Sequence, residues 1–261
     1  MPEKRIAAVD GCRGGWVTVQ AAIEKAIGDR DSPELGCRKV AEKTLECGFA
    51  GSFAEVLSTT EGCDLVLVDM PIGLSEAGPA ACESSKPENT WPRQCDLMAK
   101  EALGHKRNSL FLAPPRGTLD ADNPQEFQRL HRQLTGVGAS LPVWGIVPKI
   151  IELDGHMNEE VQRRVHEFHP ELSWSRLAGR ALAKKRSPEG ANQRWQILGK
   201  WLVADDLESA RHWRAAHRPK VAEDDLLDAL VGVLTGLTFG QFRFPVESVR
   251  DQRGLNMEIY Y

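Results

Sequence analysis

The sequence has no Cys-x-x-Cys pair, although six cysteines (Cys12, Cys37, Cys47, Cys63, Cys82 and Cys95) lie in its first half. Structural zinc sites usually draw on paired cysteines, so none is expected. The start, Met1-Pro2-Glu3-Lys4-Arg5, lacks the apolar core of a secretory leader, and a disulfide framework is not expected either. No apolar run is long enough to span a bilayer; the longest, over 226–239, carries Asp228. Together these absences predict a soluble, cytoplasmic protein with no membrane partner. Net positive charge is also missing: 33 Lys and Arg stand against 37 Asp and Glu, a formal charge of -4. The chain as a whole therefore offers nothing that would draw in phosphates, and any basic surface must be local. No internal repeat or low-complexity tract is evident.

The hydrophobic share of 41% over 261 residues is enough for a sizeable core and predicts one elaborated domain over 1–261. Arg5-Ile6-Ala7-Ala8-Val9-Asp10 reads as a buried strand ending in an acid. The turn residues Gly11-Cys12-Arg13-Gly14-Gly15 lead into an alternating segment at 16–23, which predicts a hairpin. A third strand is expected over 38–47. A short helix follows at 52–59, with Ser52 as N-cap and Glu55 as its capping-box partner. Asp64-Leu65-Val66-Leu67-Val68-Asp69 is a second unbroken apolar run with an acid at its end, as expected of a central strand covered on both faces. The stretch 75–155 reads as an insertion, mostly loops with helices at 94–103, 124–134 and 148–154. Residues 161–168 read as a strand ending before His169-Pro170, since the residue before proline disfavours α. Helices are predicted at 187–203, 206–216 and 224–240, the last with Leu226, Leu227, Leu230, Val231, Leu234 and Leu237 on one broad face. This order matches an α/β fold of RNase H-like type: a mixed five-stranded sheet flanked by helices, with a long insertion after the fourth strand.

The acids carry the chemistry. If the first and fourth strands are neighbours, Asp10 and Asp69 end side by side. Asp225 and Asp228 lie three apart at the start of the last helix, and Asp224 lies four before Asp228, so either spacing shares a helix face. Converging carboxylates repel unless protons or a cation offset the charge. Oxygen ligands favour hard cations, so Mg²⁺ or Mn²⁺ is the expected cofactor, bound by Asp10, Asp69, Asp225 and Asp228. Two such ions would suit cleavage of a phosphodiester. The competing account makes each acid a turn former, a cap or a favourable charge at a helix start.

At this point a resemblance appears. The sequence resembles a family of unknown function whose members are described as predicted RNase H-like nucleases. The matching stretches are Val9-Asp10-Gly11-Cys12-Arg13-Gly14-Gly15-Trp16, Val68-Asp69-Met70-Pro71-Ile72-Gly73-Leu74, Arg93-Gln94-Cys95-Asp96, Ser109-Leu110-Phe111, Pro114-Pro115-Arg116, Glu167-Phe168-His169-Pro170-Glu171 and Asp224-Asp225-Leu226-Leu227-Asp228. The resemblance implies a metal-dependent nuclease acting on nucleic acid.

Other side chains complete the expected site. Glu171 is a candidate further ligand, and His169 a candidate proton shuttle or substrate contact. Arg13, Arg93, Arg107, Ser109, Arg116 and Lys149 are candidate phosphate contacts. For Arg93, the competing account is an ion pair with Asp96 at helical spacing. The stretch Arg176–Lys220 holds eleven Lys or Arg against four Asp or Glu, an excess of seven. Trp195, Trp201 and Trp213 within it, and Trp174 just before it, could be base platforms or core anchors. Two alternatives to the nuclease remain: an ATP-handling phosphotransferase whose Asp10–Gly15 hairpin cradles phosphate, and a non-catalytic nucleic-acid-binding protein.

Overall fold

The computed structural model describes residues 4–23, 45–76 and 90–261. Five strands form a mixed sheet in the order β3-β2-β1-β4-β5: β1 (Lys4–Cys12), β2 (Gly15–Ile23), β3 (Leu45–Ala50), β4 (Leu65–Val68) and β5 (Val165–Glu167). Eight α-helices are described as well, so the chain is α/β. By compactness it divides into two units, one comprising 1–69 and 173–239, the other 70–172 and 240–261.

In the first unit, β1 and β2 pair antiparallel from Lys4↔Ile23 to Cys12↔Gly15, the expected hairpin. β1 pairs parallel with β4, so the two apolar runs are neighbours. Ile6 to Val9 and Leu65 to Val68 are buried throughout, which accounts for their lack of alternation. Helix α1 (Phe53–Thr59) starts as predicted: Ser52 Oγ accepts from Glu55 N at 3.2 Å. The reciprocal bond differs, because Glu55 Oε2 accepts from Gly51 N rather than from the cap itself. The third strand begins at Leu45; the predicted start at residue 38 lies outside the described residues.

Helix α8 (Glu223–Leu237) is buried along nearly its whole length and packs on β1. Its approach is close enough that Gly236 has no room for a side chain. A Cβ there would meet Ile6 Cγ2 at 2.6 Å. Helices α6 (Pro188–Leu198) and α7 (Ala204–Ala216) complete the unit; α6 ends earlier than expected.

In the second unit, α2 (Gln94–Leu103) and α3 (Pro124–Thr135) form where predicted. The short helix expected at 148–154 is instead the end of α4 (Leu141–His156), which carries Pro148 inside it. Reading proline as a helix start truncated this element. The strand expected over 161–168 shrinks to β5 after a 3₁₀ turn at Val161–Arg163. Helix α5 (Pro170–Ala178), whose residues from Ser173 on belong to the first unit, and the hairpin β6 (Arg243–Arg250) with β7 (Asn256–Tyr260) in the second are not among the predicted elements. The core of this unit includes Cys95, Ala99, Leu103, Leu110, Leu172, Met257 and Ile259. No helix among the described residues is long and apolar enough to cross a membrane. Cys12, Cys47, Cys63 and Cys95 form no disulfide; Cys37 and Cys82 lie outside the described residues.

Candidate metal centre

The parallel register of β1 and β4 ends at Val9↔Val68, and Asp69 N–H donates to Val9 O at 2.9 Å. The next residue on each strand is therefore an acid, Asp10 beside Asp69. Because α8 packs across β1, the helix brings a third acid, Asp228, to the same end. Carboxylate oxygens of Asp10, Asp69 and Asp228 all lie within 4.8 Å of one another. Asp10 is 7% exposed and Asp228 3%.

The electrostatics follow from this crowding. Burial pushes the Asp10 carboxyl well above its usual range, and the charges of Asp69, Asp228 and Asp225 push it further. Burial also raises Asp228, against the opposing pull of Lys185 and a hydrogen bond from Trp174. Lys185 Nζ donates to Asp228 Oδ2 at 2.9 Å and lies 3.6 Å from Asp224 Oδ2. Trp174 Nε1 donates to Asp228 Oδ1 at 3.0 Å. Burial alone would lower the Lys185 ammonium, but Asp228 and Asp10 outweigh it and hold the lysine protonated.

The sequence left the late acid open among three; the fold separates their roles. Asp228 joins Asp10 and Asp69. Asp224 turns to Arg186, whose Nε donates to Oδ2 at 3.0 Å; this bond and the lysine charge hold Asp224 low despite its burial. Asp225 stands at the third helical position and accepts from Ala222 N at 2.9 Å, so it caps α8. It caps the helix near the cluster, and the converging group is Asp10, Asp69 and Asp228.

Most of the expected substrate contacts belong to the second unit. Arg13 is exposed at the β1–β2 turn. Arg93, expected to hold phosphate, is 1% exposed. Its guanidinium donates to Glu167 at 2.8 and 2.9 Å, to Asp96 at 2.5 and 3.1 Å, and to the Ile72 and Gly73 carbonyls. The phosphate role is thus corrected to a buried structural one. Arg116 is similarly committed, to Glu76, Asp154 and Asp251. Glu171 pairs with Lys106 and is not in the converging group. His169 Nδ1 accepts from Leu172 N at 3.4 Å in the first turn of α5. Arg107 and Ser109 are exposed on a 3₁₀ segment, and Lys149 is half-buried on α4. His169, Glu171 and all these candidates except Arg13 belong to the second unit.

Sequence reasoning did not single out Lys185 or Trp174 as parts of the site. Neither has a local signature. Lys185 is one charge in a basic run, and Trp174, fully buried, reads from sequence as either a base platform or a core anchor. Only the partner 43 or 54 residues away assigns each a role.

The sheet and the three acids define an α/β protein with a buried carboxylate cluster that could hold a divalent metal. By sequence, the chain belongs to the family described as a protein of unknown function (DUF429), whose pattern matches residues 9–247. No curated protein and no solved structure gives a significant match.

Proposed function

We propose that this chain is a divalent-metal-dependent nuclease of RNase H-like fold, hydrolysing phosphodiester bonds in nucleic acid. The observation that carries the reading is the meeting of Asp10, Asp69 and Asp228 within 4.8 Å. The donor set fits Mg²⁺ or Mn²⁺, being all carboxylate oxygen with no nitrogen or sulfur. Burial and then the neighbouring carboxylates raise Asp10, and a cation would relieve both the desolvated charge and the repulsion.

Asp10, Asp69 and Asp228 would hold the ion. When bound, it supplies positive charge against the negative charge that builds on phosphate oxygens during cleavage. The chain's own residues do the positioning. The parallel pairing of β1 and β4 fixes Asp10 and Asp69, and Trp174 N–H orients the Asp228 carboxylate. Hydrolysis then adds water across one ester bond. The water oxygen bonds to phosphorus, and the bond to the ester oxygen breaks. One hydrogen ends on the freed hydroxyl and the other is released from the phosphate product. The strand order and the basic excess over Arg176–Lys220 support the fold and substrate class.

The test is a panel of single- and double-stranded DNA, RNA, hybrid and junction substrates with Mg²⁺ or Mn²⁺. Metal-dependent cleavage by the wild type is expected, with a loss of at least about 100-fold in Asp10→Asn and Asp228→Asn that remain folded. Equal cleavage by wild type and variants would defeat the reading.

A further inference from the structure

Resting on the metal reading above, we propose that Lys185 takes the place of a second metal ion, so that the triad binds one divalent cation and not two. The argument starts from charge. The three triad carboxylates, when ionised, carry three negative charges, which one divalent ion and the Lys185 ammonium offset; the neighbouring Asp224 is answered by Arg186.

The contacts place that ammonium. Lys185 Nζ sits on Asp228 Oδ2 at 2.9 Å, while Trp174 occupies the other oxygen, Oδ1, at 3.0 Å. Both Asp228 oxygens thus already carry a donor, one neutral and one charged. The first ion can share Oδ1 with the neutral Trp174 N–H, whereas a second would have to share Oδ2 with the Lys185 ammonium, where like charges repel at contact distance.

The lysine is also built into place. Although its side chain is 43% exposed, the turn that carries it is tied down on both sides. Lys184 O accepts from Ser187 N at 2.9 Å and Ser187 Oγ at 2.8 Å. Ala183 N donates to Gln193 Oε1 at 2.8 Å, and Ala183 O accepts from the buried Arg194 at 3.2 Å. Behind the turn, α6 comes so close that a Cβ on Gly190 would meet Lys184 O at 2.0 Å. A turn held this tightly against α6 fixes the root of the lysine stem and shortens the search its ammonium makes for Asp228.

The experiment is a titration of the full chain with Mn²⁺, counting bound ions by loss of the free-ion electron paramagnetic resonance signal and by calorimetry. One ion per chain is expected for the wild type and for Lys185→Arg, which keeps the charge. Lys185→Met and Lys185→Gln are expected to take up a second ion; two neutral variants guard against one failing to fold, checked by circular dichroism. A wild type binding two ions, or folded neutral variants still binding one, overturns the lysine's role while leaving the metal site intact. No Mn²⁺ on the wild type or on any variant overturns the inference together with the metal reading beneath it.

Discussion

Asp10 and Arg93 are both buried charges, and they differ in how their surroundings answer them. Arg93 is over-supplied: two carboxylates and two carbonyls converge on one guanidinium, and burial is outweighed by Asp96 and Glu167, which hold it charged. Such a hub locks the segments around Ile72, Asp96 and Glu167 together. Removing one partner of a buried ion pair is costly because the others are left uncompensated. Arg93→Met should therefore destabilise the protein by about 3–5 kcal/mol, seen as a lower urea midpoint. A loss under about 1 kcal/mol would mean that water reaches the Arg93 carboxylates freely. Asp10 is the opposite case, a carboxylate surrounded by its own kind with one lysine nearby. No local pattern in the chain separates the two cases, because Arg93-Gln94-Cys95-Asp96 and Val9-Asp10-Gly11 both read as plausible site fragments.

At the scale of elements, the contact between α8 and β1 is what aims Asp228. The helix lies close because Gly236 faces Ile6. Alanine there gains about 1 kcal/mol in helix propensity, but a Cβ 2.6 Å from Ile6 Cγ2 forces repacking that costs about 1–3 kcal/mol. Gly236→Ala should thus be net destabilising, and adding Ile6→Val should recover part of the loss in thermal melts. If Gly236→Ala raises the melting temperature, the helix has slack against the sheet. The same element shows what periodicity could read. The apolar face of α8 and the unbroken runs of β1 and β4 were legible because burial on several sides leaves a continuous mark. Helix α4 was only half legible, since Pro148 looks like a start when the preceding Pro142-Val143-Trp144 turn already belongs to the helix. Helix α5 and the β6–β7 hairpin escaped notice because their apolar residues answer partners far away in the chain. Met257 and Ile259, for example, pack with Cys95 and Leu103.

For the whole molecule, the carboxylate cluster sets function against stability. Without a cation, the repulsion at Asp10 works against folding, so Asp10→Asn should be more stable than wild type in EDTA by about 1 kcal/mol. With Mn²⁺ at a hundredfold excess over Kd, the wild type should gain about 2.7 kcal/mol and Asp10→Asn much less. Calorimetric melts of both proteins with and without the ion check the crossover. Parallel responses of the two would show that the ion acts elsewhere.

The sequence by itself determined the α/β class, the hairpin followed by a buried strand, the late apolar helix and the two acids at strand ends, because short-range periodicity and turn chemistry encode those features directly. It also narrowed the third acid to the Asp224–Asp228 segment. The tertiary structure decided the rest. It separated Asp228 from Asp225, buried Arg93 in an ion-pair hub and set Lys185 and Trp174 on the same carboxylate. Those outcomes depend on which distant groups share a low-dielectric space, and charge in such a space is settled by neighbours in three dimensions rather than along the chain.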